Sequence, residues 1–155
     1  MNTPPPSTPR LQIRRIDPDV PLPNYHSDLA AGLDLHAALP REALAWTLSP
    51  GEIRLIPCGF AMAVPMGYEA QVRPRSGLAT RFGISMPNAP GTIDADYRGP
   101  VMVPLINLGR HDFQVERHMR IAQMVIAPVA RIRLEEVEQL DETPRGSDGF
   151  GSTGW

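Results

Sequence analysis

Lysine is absent from the chain, cysteine occurs once, and no apolar run approaches the length of a membrane span. The lone Cys58 excludes an internal disulfide framework and a cysteine-based zinc site, and its apolar surroundings predict a buried core residue. A transmembrane helix needs ~18 consecutive apolar residues, and residues 1–9 lack both the basic and the apolar region of a signal peptide. We therefore expect a cytoplasmic protein that does not bind membranes.

All 15 residues in the Lys+Arg total are arginine, against 17 acidic residues, and the isoelectric point is about 6.1. The basic residues form no run, which argues against a nucleic-acid surface, so we expect no nucleic-acid partner. Each arginine is a planar fork that can bind a carboxylate or a phosphate through two hydrogen bonds. This composition is compatible with a small polyanion held by a few well-placed arginines.

Glycine and proline are abundant, with 13 and 18 copies in 155 residues, well above their usual combined share of about 12%. Both disfavour helices. Disorder is not favoured, because 42% of the residues are hydrophobic and the net charge is only −2. The chain length suits one domain, so we expect a single, turn-rich, mainly β domain.

Short runs with period-two alternation predict strands near residues 11–13, 53–57, 101–105 and 130–134, a pattern typical of a β-sandwich or barrel. The window 110–127 has no glycine or proline, so a helix remains open there, although the β-branched residues near its end favour a strand.

One short helix is predicted after Ser76, with Ser76 as its N-cap and with Leu78 and Phe82 facing the core. Residues 1–10 have the composition of a flexible arm, residues 11–142 form the β domain, and residues 143–155 are a glycine-rich tail.

Two acidic sites stand out. Asp94 and Asp96 would project from the same face of a strand. They are either surface carboxylates, one of them balanced by Arg98, or a water-activating base beside a structural anchor. Asp34 lies inside an apolar strand and needs a partner, either an arginine or the water shell of a hard cation. The four histidines show no metal-ligand spacing.

Two further segments suit phosphate binding. Arg75, Ser76 and Gly77 form either an ordinary helix start or a phosphate site of free backbone N–H groups, a hydroxyl and a guanidinium. The tail is either a disordered end or a mobile lid over a nucleotide. Its glycines would let the backbone wrap closely, and it carries Arg145, Phe150, Ser152 and Thr153.

Five segments in order resemble the motifs of the trimeric deoxyuridine triphosphate nucleotidohydrolases (dUTPases). They are residues 31–35 (AGLDL), 74–78 (PRSGL), 91–99 (GTIDADYRG), 120–124 (RIAQM) and 145–154 (RGSDGFGSTG). The resemblance spans about residue 11 to the C-terminus. It implies a jelly-roll-like β subunit, a homotrimer with active sites shared between subunits, and Mg²⁺-dependent cleavage of dUTP to dUMP and pyrophosphate.

The resemblance also implies roles for individual residues. Asp94 would activate the water that attacks the α-phosphorus, and Asp34 would hold Mg²⁺ through a water. The substrate-binding set would be Arg75, Ser76, Gly77 and Gln123 for the phosphates; Asn88, Gly91, Thr92, Ile93, Tyr97 and Met102 for the nucleoside; and Arg145, Phe150, Gly151, Ser152 and Thr153 in a lid formed by residues 143–155.

Two positions depart from the family pattern, because His118 and Asp148 stand where the family commonly has glycine. A different local turn at His118 and weaker tail closure at Asp148 would follow. Two alternative functions share this fold: a dCTP deaminase-related enzyme, bifunctional or not, and a non-catalytic regulatory protein. By the resemblance, Asn88, Thr92 and Ile93 lie in a hairpin whose backbone reads the uracil edge. That hairpin and the Phe150-containing tail argue against the first alternative, and the intact Asp94 and Tyr97 argue against the second.

Overall fold

The computed structural model of the protein describes residues 8–147. Over that range the chain forms eleven strands and one helix. The strands are β1 (Gln12–Arg15), β2 (Asn24–Tyr25), β3 (Leu33–His36), β4 (Ala45–Leu48), β5 (Ile53–Ala63), β6 (Tyr68–Pro74), β7 (Ile84–Ser85), β8 (Gly91–Ile93), β9 (Pro100–Asn107), β10 (Phe113–Glu116) and β11 (Arg120–Pro128), and the helix is α1 (Ser76–Phe82).

The strands pair only in antiparallel fashion within the described residues. One sheet has the order β1-β5-β9-β7, a second has the order β2-β3-β11-β6-β8, and β10 pairs with β4. These open sheets with a single short helix confirm the expected mainly β, jelly-roll-like class. No helix in residues 8–147 is long and apolar enough to cross a membrane.

The core is built from the inner faces of both large sheets, where side chains alternate between inside and outside. Ile56, Phe60 and Val103 line it from one sheet, and Leu35 and Met124 line it from the other. Cys58 is also in this core, as predicted. It is 1% exposed, and burial raises the pKa of its thiol to about 12.

Most of the strand predictions are confirmed. Residues 101–105 lie in β9, and the window 110–127 forms β10 and β11 rather than a helix. The strand predicted at residues 130–134 is absent from the described chain, since β11 ends at Pro128 and the side chains of Ile132 and Leu134 are 80% and 86% exposed. An alternating sequence becomes a strand only beside a partner, and none of the described strands lies next to this segment.

Helix α1 corrects two predictions. Arg75, not Ser76, occupies the N-cap, with extended φ and ψ of −89° and 128° and no side-chain cap, so Ser76 is the first helical residue. Leu78 packs against the core, but Phe82 is half exposed and tilts against Phe113 with ring centroids 5.3 Å apart. Gly83 caps the C-terminus of the helix, and its φ of 71° lies in the left-handed region, which glycine adopts easily.

His118 is the only non-glycine residue in 8–147 with positive φ, at 66°. It lies in the turn between β10 and β11, and its N–H donates to the Ala37 carbonyl at 2.8 Å. The turn therefore forms with histidine in a conformation that glycine adopts at lower cost.

We expect His118→Gly to raise the free energy of unfolding by up to about 1 kcal/mol, because relief of left-handed strain exceeds the added entropy of the unfolded chain. Urea unfolding at fixed protein concentration measures this change. His111→Gly is the matched control, since its φ is not positive, and it should lower stability. A His118→Gly protein less stable than wild type would contradict the prediction.

Candidate active site

A cavity of about 170 Å³ lies beside the segment that runs from β8 in one large sheet to β9 in the other. It brings Asp94 together with four of the predicted substrate-binding residues. The lining is Thr92, Ile93, Asp94, Tyr97, Pro100, Val101 and Met102. These residues all lie between positions 92 and 102, so the end of β8, the connection and the start of β9 build the cavity.

Asp94 and Asp96 do not lie on a strand, because β8 ends at Ile93 and the chain turns, with the Tyr97 N–H donating to the Asp94 carbonyl at 3.2 Å. The prediction that both carboxylates share a strand face is therefore wrong, and only Asp94 lines the cavity. Arg98 does not balance either acid. It donates to the carbonyls of Ala95 and Tyr97 at 2.7 and 2.8 Å.

Tyr97 forms one wall of the cavity. Its hydroxyl donates to the Pro100 carbonyl at 3.0 Å, which fixes the ring while leaving the residue 44% exposed. Gly91 and Asn88 are outside the cavity lining. They lie together, with the Asn88 amide nitrogen 3.3 Å from where a Gly91 side chain would begin.

A second cluster forms around Asp34 on β3. Its Oδ2 accepts from Arg120 Nη1 at 3.0 Å, and its Oδ1 is 3.4 Å from Arg75 Nε. Arg75 also donates from Nη1 to the Arg120 carbonyl at 3.1 Å. The sequence left either an arginine or a hydrated cation as the partner of Asp34, and the structure pairs it with two arginines. Arg120 was assigned no role from the sequence. The signal that could have found it was Asp34, because an acid in an apolar strand requires a nearby positive charge.

His36 is two residues from Asp34 on the same strand. Its Nδ1 is buried without a hydrogen-bond partner among the described residues. Burial lowers the pKa of this histidine, while the nearby Asp34 carboxylate opposes that shift. His36 therefore favours the neutral form and adds no fixed positive charge to the cluster.

Gln123 on β11 adjoins this cluster, with Asp34 directly opposite on β3. Its Nε2 donates to the Pro74 carbonyl at 3.1 Å. Its Oε1 lies 2.9 Å from where a side chain on Gly32 would begin, so glycine there leaves room for the amide. Ser76 and Gly77 are exposed at the start of α1, immediately after Arg75.

The two clusters lie at opposite ends of β6. Asp94 follows Ile93, which the register pairs with Ala70, and Arg75 lies five residues beyond Ala70, so about six residue steps separate Asp94 from Arg75. At ~3.3 Å per residue that is roughly 20 Å between their backbones. One chain therefore presents two candidate half-sites. One is the cavity around Asp94 and Tyr97, and the other, the arginine-rich half-site, comprises Asp34, Arg75, Arg120 and Gln123.

The described residues offer Mg²⁺ a single carboxylate rather than a cage of protein ligands. No group of three or more histidine, cysteine or acidic side chains in residues 8–147 is placed to hold a metal. Mg²⁺ keeps several waters and is often bound by one or two carboxylates together with substrate phosphates. Asp34, a single carboxylate beside Arg75 and Arg120, matches that donor set, with contact through water.

Of the predicted tail residues, Arg145 lies in the described region and is exposed in a turn. Phe150, Gly151, Ser152 and Thr153 lie outside the described residues, as does Asp148. Their roles stay predictions.

A family model described as dUTPase matches residues 18–154. The chain belongs to the dUTPase family. Two curated relatives named deoxyuridine 5′-triphosphate nucleotidohydrolase match it over nearly their full length. The protein of Beijerinckia indica is 51% identical, covering 99% of this chain and 97% of its own. That of Rhizobium meliloti is 52% identical, covering 99% of both chains.

A solved structure of the family agrees with the fold. The dUTPase of Staphylococcus bacteriophage 80alpha with dUpNHpp is 25% identical and superposes with a TM-score of 0.85, covering 96% of this chain and all of that one. Its described ligand is a property of that protein. For this chain, the likeness supports the jelly-roll-like arrangement of the strands.

We expect Gly32→Ala to displace the Gln123 amide and break its bond to the Pro74 carbonyl, because the new methyl would lie 2.9 Å from Oε1. Because the Gln123 amide is the end of a flexible side chain and can move, the free energy of unfolding should change by less than about 1 kcal/mol. The side-chain amide signal of Gln123 in NMR spectra reports the displacement. Gly77→Ala, which meets nothing within 4 Å, is the control, and an unmoved signal in Gly32→Ala would refute the expectation.

Proposed function

We propose that this chain hydrolyses dUTP to dUMP and pyrophosphate with Mg²⁺ as cofactor, which limits uracil incorporation into DNA and supplies dUMP for dTMP synthesis. The observation that carries the proposal is the match to the dUTPase family over residues 18–154, together with a cavity between β8 and β9 that Asp94 lines. Relatives above 50% identity carry the same enzyme name.

Asp94 is the catalytic residue of the proposed reaction. Its carboxylate accepts a proton from a water that attacks the α-phosphorus, and pyrophosphate leaves with the bridging oxygen. Arg75, Ser76 and Gly77 bind the phosphate chain through a guanidinium, a hydroxyl and free backbone N–H groups. Gln123 supports the phosphates beside them.

Base and sugar recognition falls to residues 88–102, from the turn before β8 to the start of β9. The backbone near Thr92 and Ile93 reads the uracil edge, with Asn88, Gly91 and Met102 completing the nucleoside contacts. Tyr97 packs on the deoxyribose, where a ribose 2′-hydroxyl would collide with its ring. The Tyr97–Pro100 hydrogen bond holds that ring in place, and a rigid wall excludes additional groups more strongly than a pocket that adapts.

Asp34 would hold Mg²⁺ through a water. When bound, Mg²⁺ neutralises negative charge on the phosphates and orients them. The Asp34 carboxylate is 3.4 Å from Arg75 Nε. The same carboxylate would therefore pair with Arg75 and accept a hydrogen bond from a water of the hydrated cation. The tail then closes the site, with Phe150 over uracil and with Arg145, Gly151, Ser152 and Thr153 near the phosphates.

We further propose a homotrimer whose sites are shared between subunits. The roughly 20 Å that separates Asp94 from Arg75 along β6 is too long for both to reach the α-phosphorus of one nucleotide. A neighbouring copy would supply the missing half. This reading also agrees with the family resemblance.

Two apolar surfaces support association. The outer face of the β5–β9 pair carries three directly opposed apolar pairs, namely Ile53 with Ile106, Leu55 with Pro104, and Pro57 with Met102. Residues 129–142 expose Ile132, Leu134 and Leu140 by at least 80%. Apolar surfaces of this kind mark contacts with other chains.

Turnover tests the reaction. The purified protein with Mg²⁺ should release pyrophosphate from dUTP and far less from dTTP, UTP or dCTP, and no ammonia from dCTP. Ammonia from dCTP would instead identify a deaminase, and no reaction with any nucleotide would favour a regulatory protein. Asp94→Asn should lower turnover by at least about a hundredfold with dUTP binding retained.

Mixed oligomers test the sharing of sites. Asp94→Asn and Arg75→Ala should each be inactive alone, because each removes one half of every site. Co-refolded together, they should regain activity in about one quarter of the sites, where an intact Asp94 meets an intact Arg75 from another subunit. Sedimentation of each single variant as a trimer is the control. No recovery in mixed trimers would place both residues in one chain's site.

A further inference from the structure

Arg73 stands in line with two residues of the arginine-rich half-site. On β11, Gln123 is directly opposite Asp34 of β3 on one side and Arg73 of β6 on the other. Directly opposed residues in neighbouring strands point to the same face of a sheet. Asp34, Gln123 and Arg73 therefore form one row across three strands, about 10 Å from end to end at the usual strand spacing.

The face on which this row lies is the outer face of the sheet. The residues that flank Arg73 and Gln123 along their own strands, Val72, Ala122 and Met124, are buried in the core, so the row itself points away from it. Arg73 is exposed. Its guanidinium is therefore accessible to a ligand held above Gln123.

The charge of Arg73 is uncompensated in the described chain. No carboxylate in residues 8–147 lies within ion-pair distance of it. Arg75 and Arg120, in contrast, both engage Asp34. With one acid among three arginines, this end of the sheet is net positive, which suits an anion that stays negative when a divalent cation is bound.

A chain of side-chain hydrogen bonds along β6 orients the Arg73 guanidinium. Its Nη2 donates to Gln71 Oε1 at 2.6 Å, and Gln71 Nε2 donates to Glu69 Oε1 at 2.8 Å. The remaining N–H donors of the fork are left for a ligand. A pre-oriented fork loses less entropy on binding phosphate than a free side chain does.

We infer that Arg73 is a further substrate-binding residue, one that contacts the phosphates distal to the scissile bond. The inference rests on the proposed dUTP hydrolysis. It adds a cation outside the segment 74–78, at a position level with Gln123. Because the distal phosphates leave as pyrophosphate, Arg73 would hold both the substrate and this product, while dUMP would not meet it.

Arg73→Ala tests the inference in the full-length protein with Mg²⁺. We expect the KM for dUTP to rise about tenfold with kcat within about twofold, since a charge-assisted bond to phosphate is lost while the chemical step is untouched. Inhibition by pyrophosphate should weaken by a similar factor, and inhibition by dUMP should stay unchanged. Arg73→Gln, which keeps most of the stem, should behave alike.

Arg14→Ala is the matched control, because it removes one exposed arginine from β1 in the other sheet. It should leave all these constants near wild type. An unchanged KM in Arg73→Ala, an equal loss of dUMP binding, or the same change in Arg14→Ala would each overturn the inference. Failure of the wild-type protein to hydrolyse dUTP would instead overturn the proposed function, so the two failures are distinct.

Discussion

The position of β11 between β3 and β6 is the constraint on which the arginine-rich half-site depends. Its hydrogen bonds to both neighbours set the register that puts Gln123 opposite Asp34 and Arg73. A shift of one residue would turn Gln123 into the core and expose Met124, which is fully buried. Burial of the apolar face therefore fixes the polar face as well, and core packing aligns the residues proposed to bind the substrate.

Charge compensation around Asp34 explains why this half-site is preformed. A carboxylate with a side chain only 14% exposed needs partners to offset its desolvation, and Arg120 and Arg75 supply them. The same contacts hold Arg75 at the start of α1, where Ser76 and Gly77 follow. Two arginines around one acid leave positive charge at the surface, so the pairing that stabilises the apo chain also prepares it for an anion.

The half-site around Asp94 is assembled in a different way. Its residues lie within eleven positions of one another in sequence, from Thr92 to Met102, and a local turn is enough to assemble them. The Tyr97–Pro100 hydrogen bond and the turn after Ile93 use backbone groups, so the shape of this cavity depends little on distant contacts. One half-site is thus local in sequence, whereas the other combines residues about ninety positions apart on three strands.

The sequence by itself determined the mainly β class, the buried Cys58, the strands around residues 53–57 and 101–105, and the segments proposed to carry the chemistry, because composition, period and motif are local properties. It did not determine that Asp96 lies outside the cavity lining, that Arg120 pairs with Asp34, or that Arg73 lies in one row with Gln123 and Asp34. Nor did it determine that residues 130–134 stay unpaired in one chain. These facts depend on strand register and on the presence of a neighbouring strand, which only the tertiary structure decides.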